Sequence, residues 1–241
     1  WLPEKINLDI VFEDDDIIVI NKPFGLVTHP GAGNWSGTLA NALLHHDPHL
    51  SSLDRAGIVH RLDKNTSGLM VVSKNLKSQK FLVEQLQNHS VEREYSAIVY
   101  GHMISGGSIN EPIGRDPKDR VKQAILTNGK EALTHYRVID RFKSHTHVKA
   151  ILETGRTHQI RVHLSHIEHP LIGDPMYGGR VRFPKKACQE LKDELINFQR
   201  QALHSKKLTL THPATGKSMT WKVDLPDDMQ ELLNILKNFD S

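Results

Sequence analysis

The chain has 241 residues, of which 38% are hydrophobic and 24% are charged, a composition typical of one large globular domain or two small ones. Its single cysteine, Cys188, excludes a disulfide framework and a multi-cysteine zinc site. No apolar run approaches the ~20 residues of a transmembrane helix. The net charge of +3 permits a nucleic-acid partner without requiring one.

The first third of the chain alternates strand and helix patterns. Residues 6–12 and 17–21 are predicted as two short strands, and a loop rich in glycine and small polar residues follows. LANALLHH predicts a short helix. The continuous apolar run at residues 69–73 indicates a buried strand, and NLKSQKFLVEQLQNH after it has the spacing of an amphipathic helix.

The middle of the chain is dominated by strand patterns. Residues 92–101 alternate, so Tyr95 shares one face of a predicted strand with Ala97 and Val99. Residues 105–130 are predicted as loops with short strands. EALTHYRVIDRF and THVKAILETG are predicted as paired strands, and RTHQIRVHLSHIEH as a helix.

The last third begins with a long basic loop, GDPMYGGRVRFPKKACQ. A β-hairpin around Pro-Ala-Thr-Gly and a final helix, DDMQELLNILKNF, follow. The acidic residues at the start of that helix suit its macrodipole. Because helices and strands interleave while several strands arrive as hairpins, we predict an α+β fold: a mixed, largely antiparallel β-sheet core with flanking helices and loops.

The segment GIVHRLDKNTSGLMVVSK draws attention to Asp63. It sets this carboxylate between the basic residues His60 and Arg61 and a Thr-Ser-Gly bend. From the residues alone, Asp63 could equally cap a turn or pair with a neighbouring arginine, and the two basic residues could be ordinary surface residues.

The same segment resembles the catalytic segment of the pseudouridine synthases of the large-subunit rRNA type, whose hallmark is His-Arg-Leu-Asp followed by Thr-Ser-Gly. Four more segments are similar to motifs of that family, in the family's order: NKPFGLVTHPG, EREYSAIVYG, LETGRTHQIRVHLSHIEHPLIGDPMYGG and RQALHSKKLTLTHP. The resemblance implies a pseudouridine synthase catalytic domain over residues 1–241. It also leads us to expect an S4-type RNA-binding domain upstream, absent from this chain.

The resemblance implies that the chain isomerises specific uridines in large-subunit (23S) ribosomal RNA to pseudouridine. The N1–C1′ bond breaks, the base turns, and C5 is joined to C1′, so no cofactor or metal is required. An aspartate could attack C1′ or take the C2′ proton, and the sequence leaves both routes open. A related branch acts on tRNA, which stays an alternative. The expected partner is rRNA or an assembling large subunit, for a cytoplasmic monomer with no membrane contact.

The resemblance also assigns site residues. Asp63 is the catalytic carboxylate, and Arg161 is the cation that keeps it ionised. Tyr95 stacks on the target base and its hydroxyl could move a proton. Arg61 fills the gap left by the flipped uridine. Further RNA contacts are predicted at His60, Arg156, Arg180, Arg182, Lys185, Lys186 and residues 115–122, although charged loops are commonly just solvated.

Two other classes of protein are compatible with parts of the sequence. A metal-dependent hydrolase would use the histidines on one segment, which are His158, His163, His166 and His169. Carboxylates are scarce there, however, and no His-Glu-x-x-His occurs. A non-catalytic RNA-binding module would keep the basic loops and need neither Asp63 nor Tyr95.

Overall fold

This computed structural model describes residues 1–31 and 33–241; Ala32, which falls in the predicted glycine-rich loop, lies outside the described residues. The chain divides into two compact units. The first comprises Trp1–Arg93 and Ser205–Val223, and the second comprises Glu94–His204 and Asp224–Ser241. Among the described residues, no helix combines the length and apolarity needed to cross a membrane.

The elements in chain order are β1 (Ile10–Glu13), β2 (Ile17–Lys22), α1 (Leu39–His46), β3 (Ser67–Ser73), α2 (Leu76–Gln87), β4 (Glu92–Tyr100), β5 (Gly107–Asn110), β6 (Ile113–Arg115), β7 (Gln123–Ile125), β8 (Leu133–Arg141), β9 (His145–Leu152), α3 (Gln159–His166), α4 (Gln189–Asn197), β10 (Leu203–Thr211), β11 (Ser218–Lys222) and α5 (Asp227–Phe239). Two short 3₁₀ turns, Pro48–Ser52 and Asp54–Gly57, follow α1.

The first unit is built on strands in the order β1-β2-β3-β10, with β11 paired to β10. All seven residues of β3 are buried, as the continuous apolar run predicts. Helix α2 begins where the Asn75 side chain accepts the Ser78 N–H at 2.9 Å, an N-cap that ends the preceding bend. The core of this unit consists of Ile17, Val19, Leu69, Val71, Leu82, Val91, Leu208, Leu210 and Trp221.

The second unit contains strands in the order β4-β9-β8-β5 and a separate two-stranded sheet of β6 and β7. Strands β8 and β9 pair in antiparallel register, from Thr134 opposite Leu152 to Arg141 opposite Thr146. Residues from β4, α4 and α5 bury their apolar faces in one cluster, in which Ile98, Leu195 and Leu236 are 0–1% exposed. Burial of this kind stabilises short helices that are marginal alone.

The α+β prediction with a largely antiparallel sheet is confirmed, and so are the paired strands β8 and β9 and helices α1, α2, α3 and α5. Some boundaries were wrong: β1 starts at Ile10 rather than residue 6, and β3 starts at Ser67 rather than residue 69. Helix α4 was not predicted. The assignment of residues 1–241 to one catalytic domain stays a prediction.

Candidate active site

Asp63 lies in a turn just before β3, in the first unit. The Thr66 N–H donates to the Asp63 carbonyl oxygen at 3.0 Å and closes the turn. On the N-terminal side, the Thr28 hydroxyl donates to the Leu62 carbonyl at 2.9 Å, and Leu62 is itself buried. The half-buried Asp63 is therefore held on a backbone that is fixed before and within the turn.

The backbone after Asp63 is held by a buried lysine. Lys22 is 1% exposed, and its ammonium donates to the carbonyl oxygens of Pro23 at 2.8 Å, Leu26 at 2.8 Å and Lys64 at 3.2 Å. The Lys64 carbonyl also accepts the Gly25 N–H at 2.8 Å. An ammonium has three donors, and three acceptors are present, which is how its burial is tolerated. Nothing in the NKPFG motif predicts this role of its lysine.

His60 anchors the same segment to β3. Its Nε2 accepts the Val71 N–H at 3.0 Å. Burial, and then the charge of Arg93, lower the pKa of His60 to about 3, so the ring is neutral at pH 7. A neutral ring whose Nε2 already accepts a hydrogen bond is a poor partner for a phosphate, and the predicted RNA contact of His60 stays a prediction.

Arg61 is exposed and contributes positive charge to this region. Burial, followed by the charges of Arg61 and Arg55, lowers the pKa of His29 to about 4. Within the described residues, no hydrogen bond or ion pair holds the Arg61 guanidinium. The side chain is therefore available for an external anion or base, which is what the predicted insertion requires.

Close packing requires a glycine at position 68, the last residue of the Thr-Ser-Gly bend. A Cβ at Gly68 would lie 2.2 Å from the Ser205 carbonyl oxygen, and its φ of +115° is a conformation that other residues rarely adopt. Strand β10 can approach β3 this closely only because Gly68 has no side chain. The turn that carries Asp63 is thereby seated directly at the start of β3.

Arg161 lies in α3, in the second unit, on a helix fixed on both sides of it. The Gln159 amide donates to the Thr134 hydroxyl at 3.0 Å. The two ring nitrogens of His163 lie 2.9 Å from that hydroxyl and 2.9 Å from the Glu111 carbonyl. These contacts tie the helix to β8 and to the segment before β6, so Arg161 has little freedom to shift.

The guanidinium of Arg161 makes a buried, two-point ion pair with Asp174. Its Nε lies 2.7 Å from Oδ2 and its Nη2 lies 2.9 Å from Oδ1. Oδ1 also accepts the N–H groups of Met176 at 2.8 Å and Tyr177 at 3.0 Å. Burial alone would raise the pKa of Asp174, but these donors and the charge of Arg161 outweigh it and lower the pKa. The predicted pairing of Arg161 with Asp63 stays a prediction.

Tyr95 lies in β4 and is 5% exposed. It shares a strand face with Ala97 and Val99, which are both 0% exposed, as the alternation predicts. Its role against the target base stays a prediction.

The other predicted RNA contacts lie in the second unit, and two of them also contact the protein. The Arg182 guanidinium lies 5.5 Å from the ring centroid of Tyr100. Burial raises the pKa of Tyr100, and a hydrogen bond from the Arg182 backbone opposes the rise. Arg156 Nε donates to the Glu131 carbonyl at 2.9 Å. Arg180, Lys185 and Lys186 are exposed, and the predicted contacts at residues 115–122 lie in the same unit.

The histidines behind the metal-hydrolase alternative do not form a ligand set. Both ring nitrogens of His163 already have partners, and His169 Nδ1 lies 2.8 Å from the Tyr100 carbonyl. In the part of the chain that the structure describes, the group with metal-like spacing is instead Asp14, Asp16 and His212. That group is already bonded internally, since His212 Nε2 lies 2.8 Å from Asp14 Oδ2.

The comparisons with known proteins agree with these features. The family model described as RNA pseudouridylate synthase matches residues 16–166, a stretch that includes Asp63, Tyr95 and Arg161. The chain therefore belongs to the RNA pseudouridylate synthase family, whose members are RNA pseudouridine isomerases.

Individual relatives show which members of the family the chain resembles. The chain is 56% identical over 237 residues to "Ribosomal large subunit pseudouridine synthase D" of Pseudomonas aeruginosa, covering 98% of this chain and 74% of that protein. It is 54% identical over 235 residues to the protein of the same name in Escherichia coli strain K12, covering 98% and 72%. Among solved structures, human RNA pseudouridylate synthase domain containing 4 aligns with a TM-score of 0.71 at 27% identity, covering 95% of this chain and 92% of that one.

Proposed function

We propose that this chain isomerises uridines in large-subunit (23S) ribosomal RNA to pseudouridine. The observation that carries the proposal is the identity of 54–56%, over 98% of the chain, to proteins named for that activity. The hydrogen bonds that hold the Asp63 turn support the proposal, because a catalytic group works only when its backbone is held in one geometry.

In the proposed reaction, Asp63 acts at the ribose of a flipped-out uridine. Its carboxylate either attacks C1′ or removes the C2′ proton, and either step releases the base from C1′ through cleavage of the N1–C1′ bond. The base turns and C5 bonds to C1′; this displaces the Asp63 carboxylate in the first route, and in the second the proton is returned to C2′. The proton on C5 is then lost to solvent, and N1 takes up a proton. The product has the same atoms as the substrate apart from this proton exchange.

We assign supporting roles to three other residues. Tyr95 stacks on the uracil ring while the base is detached, and its hydroxyl is a candidate to carry a proton at C5 or C2′. Arg161 supplies positive charge that favours the ionised aspartate. Arg61 occupies the space that the flipped base leaves, which its exposed and unbonded guanidinium in the described structure suits.

The RNA backbone is proposed to be bound by Arg156 and Arg182 and by Arg180, Lys185 and Lys186 in the exposed loop before α4. The neutral ring of His60 is proposed to contact the RNA away from its phosphates. We further propose that the enzyme acts in the cytoplasm as a monomer and meets its substrate as rRNA or within an assembling large subunit.

Tritium release from RNA labelled at C5 of uridine tests the reaction and the substrate together. Large-subunit rRNA and bulk tRNA are compared for the wild type, Asp63→Asn and Asp15→Asn. Asp63→Asn is expected to lose all release, because an amide can neither attack C1′ nor accept the C2′ proton. Asp15 is an exposed aspartate in the same unit, so Asp15→Asn should retain full activity.

The outcomes separate the alternatives. Release from rRNA alone supports the proposal, whereas release from tRNA keeps the isomerase and contradicts the assigned substrate. Full activity of Asp63→Asn would remove this carboxylate from the mechanism. If neither RNA releases tritium, the assay is repeated with assembling large-subunit particles, and failure there would refute the proposed substrate.

A further inference from the structure

Asp174, a buried carboxylate outside the predicted catalytic set, contacts the guanidinium of Arg161. We infer that Asp174 is a positioning residue, which fixes the guanidinium of Arg161 in the orientation that the isomerisation uses. The inference rests on the role proposed above for Arg161.

The contact between the two side chains restricts rotation. Asp174 accepts from Nε and from Nη2, at 2.7 and 2.9 Å, so it holds one whole edge of the planar guanidinium. A two-point contact sets the plane and direction of the group, which a single bond to a lysine ammonium would not do. The two Nη1 hydrogens and the second Nη2 hydrogen lie outside this pair, and they are the donors through which Arg161 would act.

The carboxylate is itself held from the other side. The N–H groups of Met176 and Tyr177 donate to the same oxygen of Asp174. The Tyr177 ring lies 5.0 Å from the Arg161 guanidinium carbon, measured to the ring centroid. The Tyr177 hydroxyl accepts the Gln123 N–H at 2.8 Å and so anchors that ring to β7. Both partners of the pair therefore sit on independently fixed backbone.

The same unit contains a matched pair that serves as a control. Arg200 Nε lies 2.6 Å from Asp228 Oδ2, and its Nη2 lies 2.8 Å from Oδ1. Asp228 Oδ1 also accepts the Met229 N–H at 2.8 Å, and the Arg200 guanidinium lies 5.5 Å from the Phe198 ring centroid. The two-point geometry is alike, although the Asp228 side chain is 32% exposed and that of Asp174 is 0% exposed. No catalytic role is proposed for Arg200.

The experiment measures kcat at saturating RNA, the RNA dissociation constant and the melting temperature. The variants are Asp174→Asn, Asp228→Asn, Arg161→Ala, and Arg161→Ala combined with Asp174→Asn. Asp174→Asn should lower kcat about 10–100-fold, as loss of an orienting partner does elsewhere, with little change in RNA affinity. Asp228→Asn should change only the melting temperature. In the Arg161→Ala background, Asp174→Asn should cost no further kcat, because it acts through Arg161.

Three results would overturn the inference. The first is that Asp174→Asn, like Asp228→Asn, changes only the melting temperature and leaves kcat unchanged. The second is that the effects of the Arg161 and Asp174 substitutions multiply in the double variant. The third is full activity of Arg161→Ala, which refutes the role proposed for Arg161 while the Asp63→Asn test of the isomerisation stands apart.

A second variant keeps the test possible if the first does not fold. If Asp174→Asn does not fold, Asp174→Glu replaces it, because glutamate keeps the charge and moves the carboxylate by one methylene. A reduced kcat with an unchanged RNA dissociation constant supports the inference, and wild-type kcat refutes it.

Discussion

Replacing Lys22 by methionine should destabilise the first unit well beyond an ordinary surface substitution. Lys22→Met keeps the length of the buried side chain and removes the ammonium. The Lys64 carbonyl would keep its hydrogen bond from Gly25, but the carbonyls of Pro23 and Leu26 would lose their bonds to the ammonium. A buried acceptor left unsatisfied costs about 1–3 kcal/mol, but Pro23 is exposed and Leu26 is half-buried, so water can partly replace the ammonium and the two carbonyls together should cost about 1–3 kcal/mol.

That loss is a large part of a typical folding free energy of about 5–15 kcal/mol. Urea unfolding followed by circular dichroism measures it, with Lys207→Met as the control. Lys207 makes a partly exposed ion pair with Glu92 at 2.6 Å, a type of contact worth about 0–1 kcal/mol. If both variants lose the same small amount of folding free energy, the Lys22 ammonium does not stabilise the backbone at Pro23, Leu26 and Lys64, and the reasoning about these three carbonyls is wrong.

Two further predictions concern packing and pH. Gly68→Ala should prevent stable folding, because its Cβ would overlap the Ser205 carbonyl. As a control, Gly31→Ala should melt like the wild type, because its Cβ would have no atom within 4 Å apart from its chain neighbours. Equal melting temperatures of the two variants would contradict the steric argument. The donors around Asp14, which outweigh the effect of burial, lower its pKa, so its stabilisation is present above the ordinary aspartate value of about 3.9 and is lost as pH falls through the lowered value. Asp14→Asn should therefore be less stable than the wild type at pH 6 and converge with it in acid, as urea unfolding across pH would show; a constant difference would exclude titration of Asp14 as the cause.

The predictions that succeeded depended on repeating apolar patterns. Strand β3 is buried throughout, as its continuous apolar run predicts. Helix α2 forms where predicted and buries Leu82, but Leu76 is exposed. The other buried residues of the helix are Ser78, Gln79 and Gln85. Helix α4 was missed because only Leu191 and Leu195 are buried in its nine residues, which is too short a repeat to stand out beside a basic loop. The start of β3 was placed too late, because Ser67 and Gly68 carry no apolar signal and their strand conformation depends on the approach of β10.

The supporting residues of the site were harder to predict for a different reason. Lysine is rarely fully buried, so the sequence gives no reason to expect Lys22 inside the protein. Asp174 lies 13 residues from Arg161, beyond the reach of helical spacing, and their pairing depends on how the chain returns after α3. The motif resemblance identifies the segments that contain Lys22 and Asp174, but it does not show which atoms are in contact.

The hydrogen bonds described for the Asp63 turn hold it through its backbone atoms. The turn is closed by the Asp63 carbonyl oxygen, which accepts the Thr66 N–H, and the flanking backbone is held through Leu62 and Lys64. None of these bonds uses the side-chain oxygens, so asparagine at this position would keep all of them. Loss of isomerisation in Asp63→Asn with an unchanged melting temperature would therefore report on chemistry at the carboxylate rather than on loss of the turn.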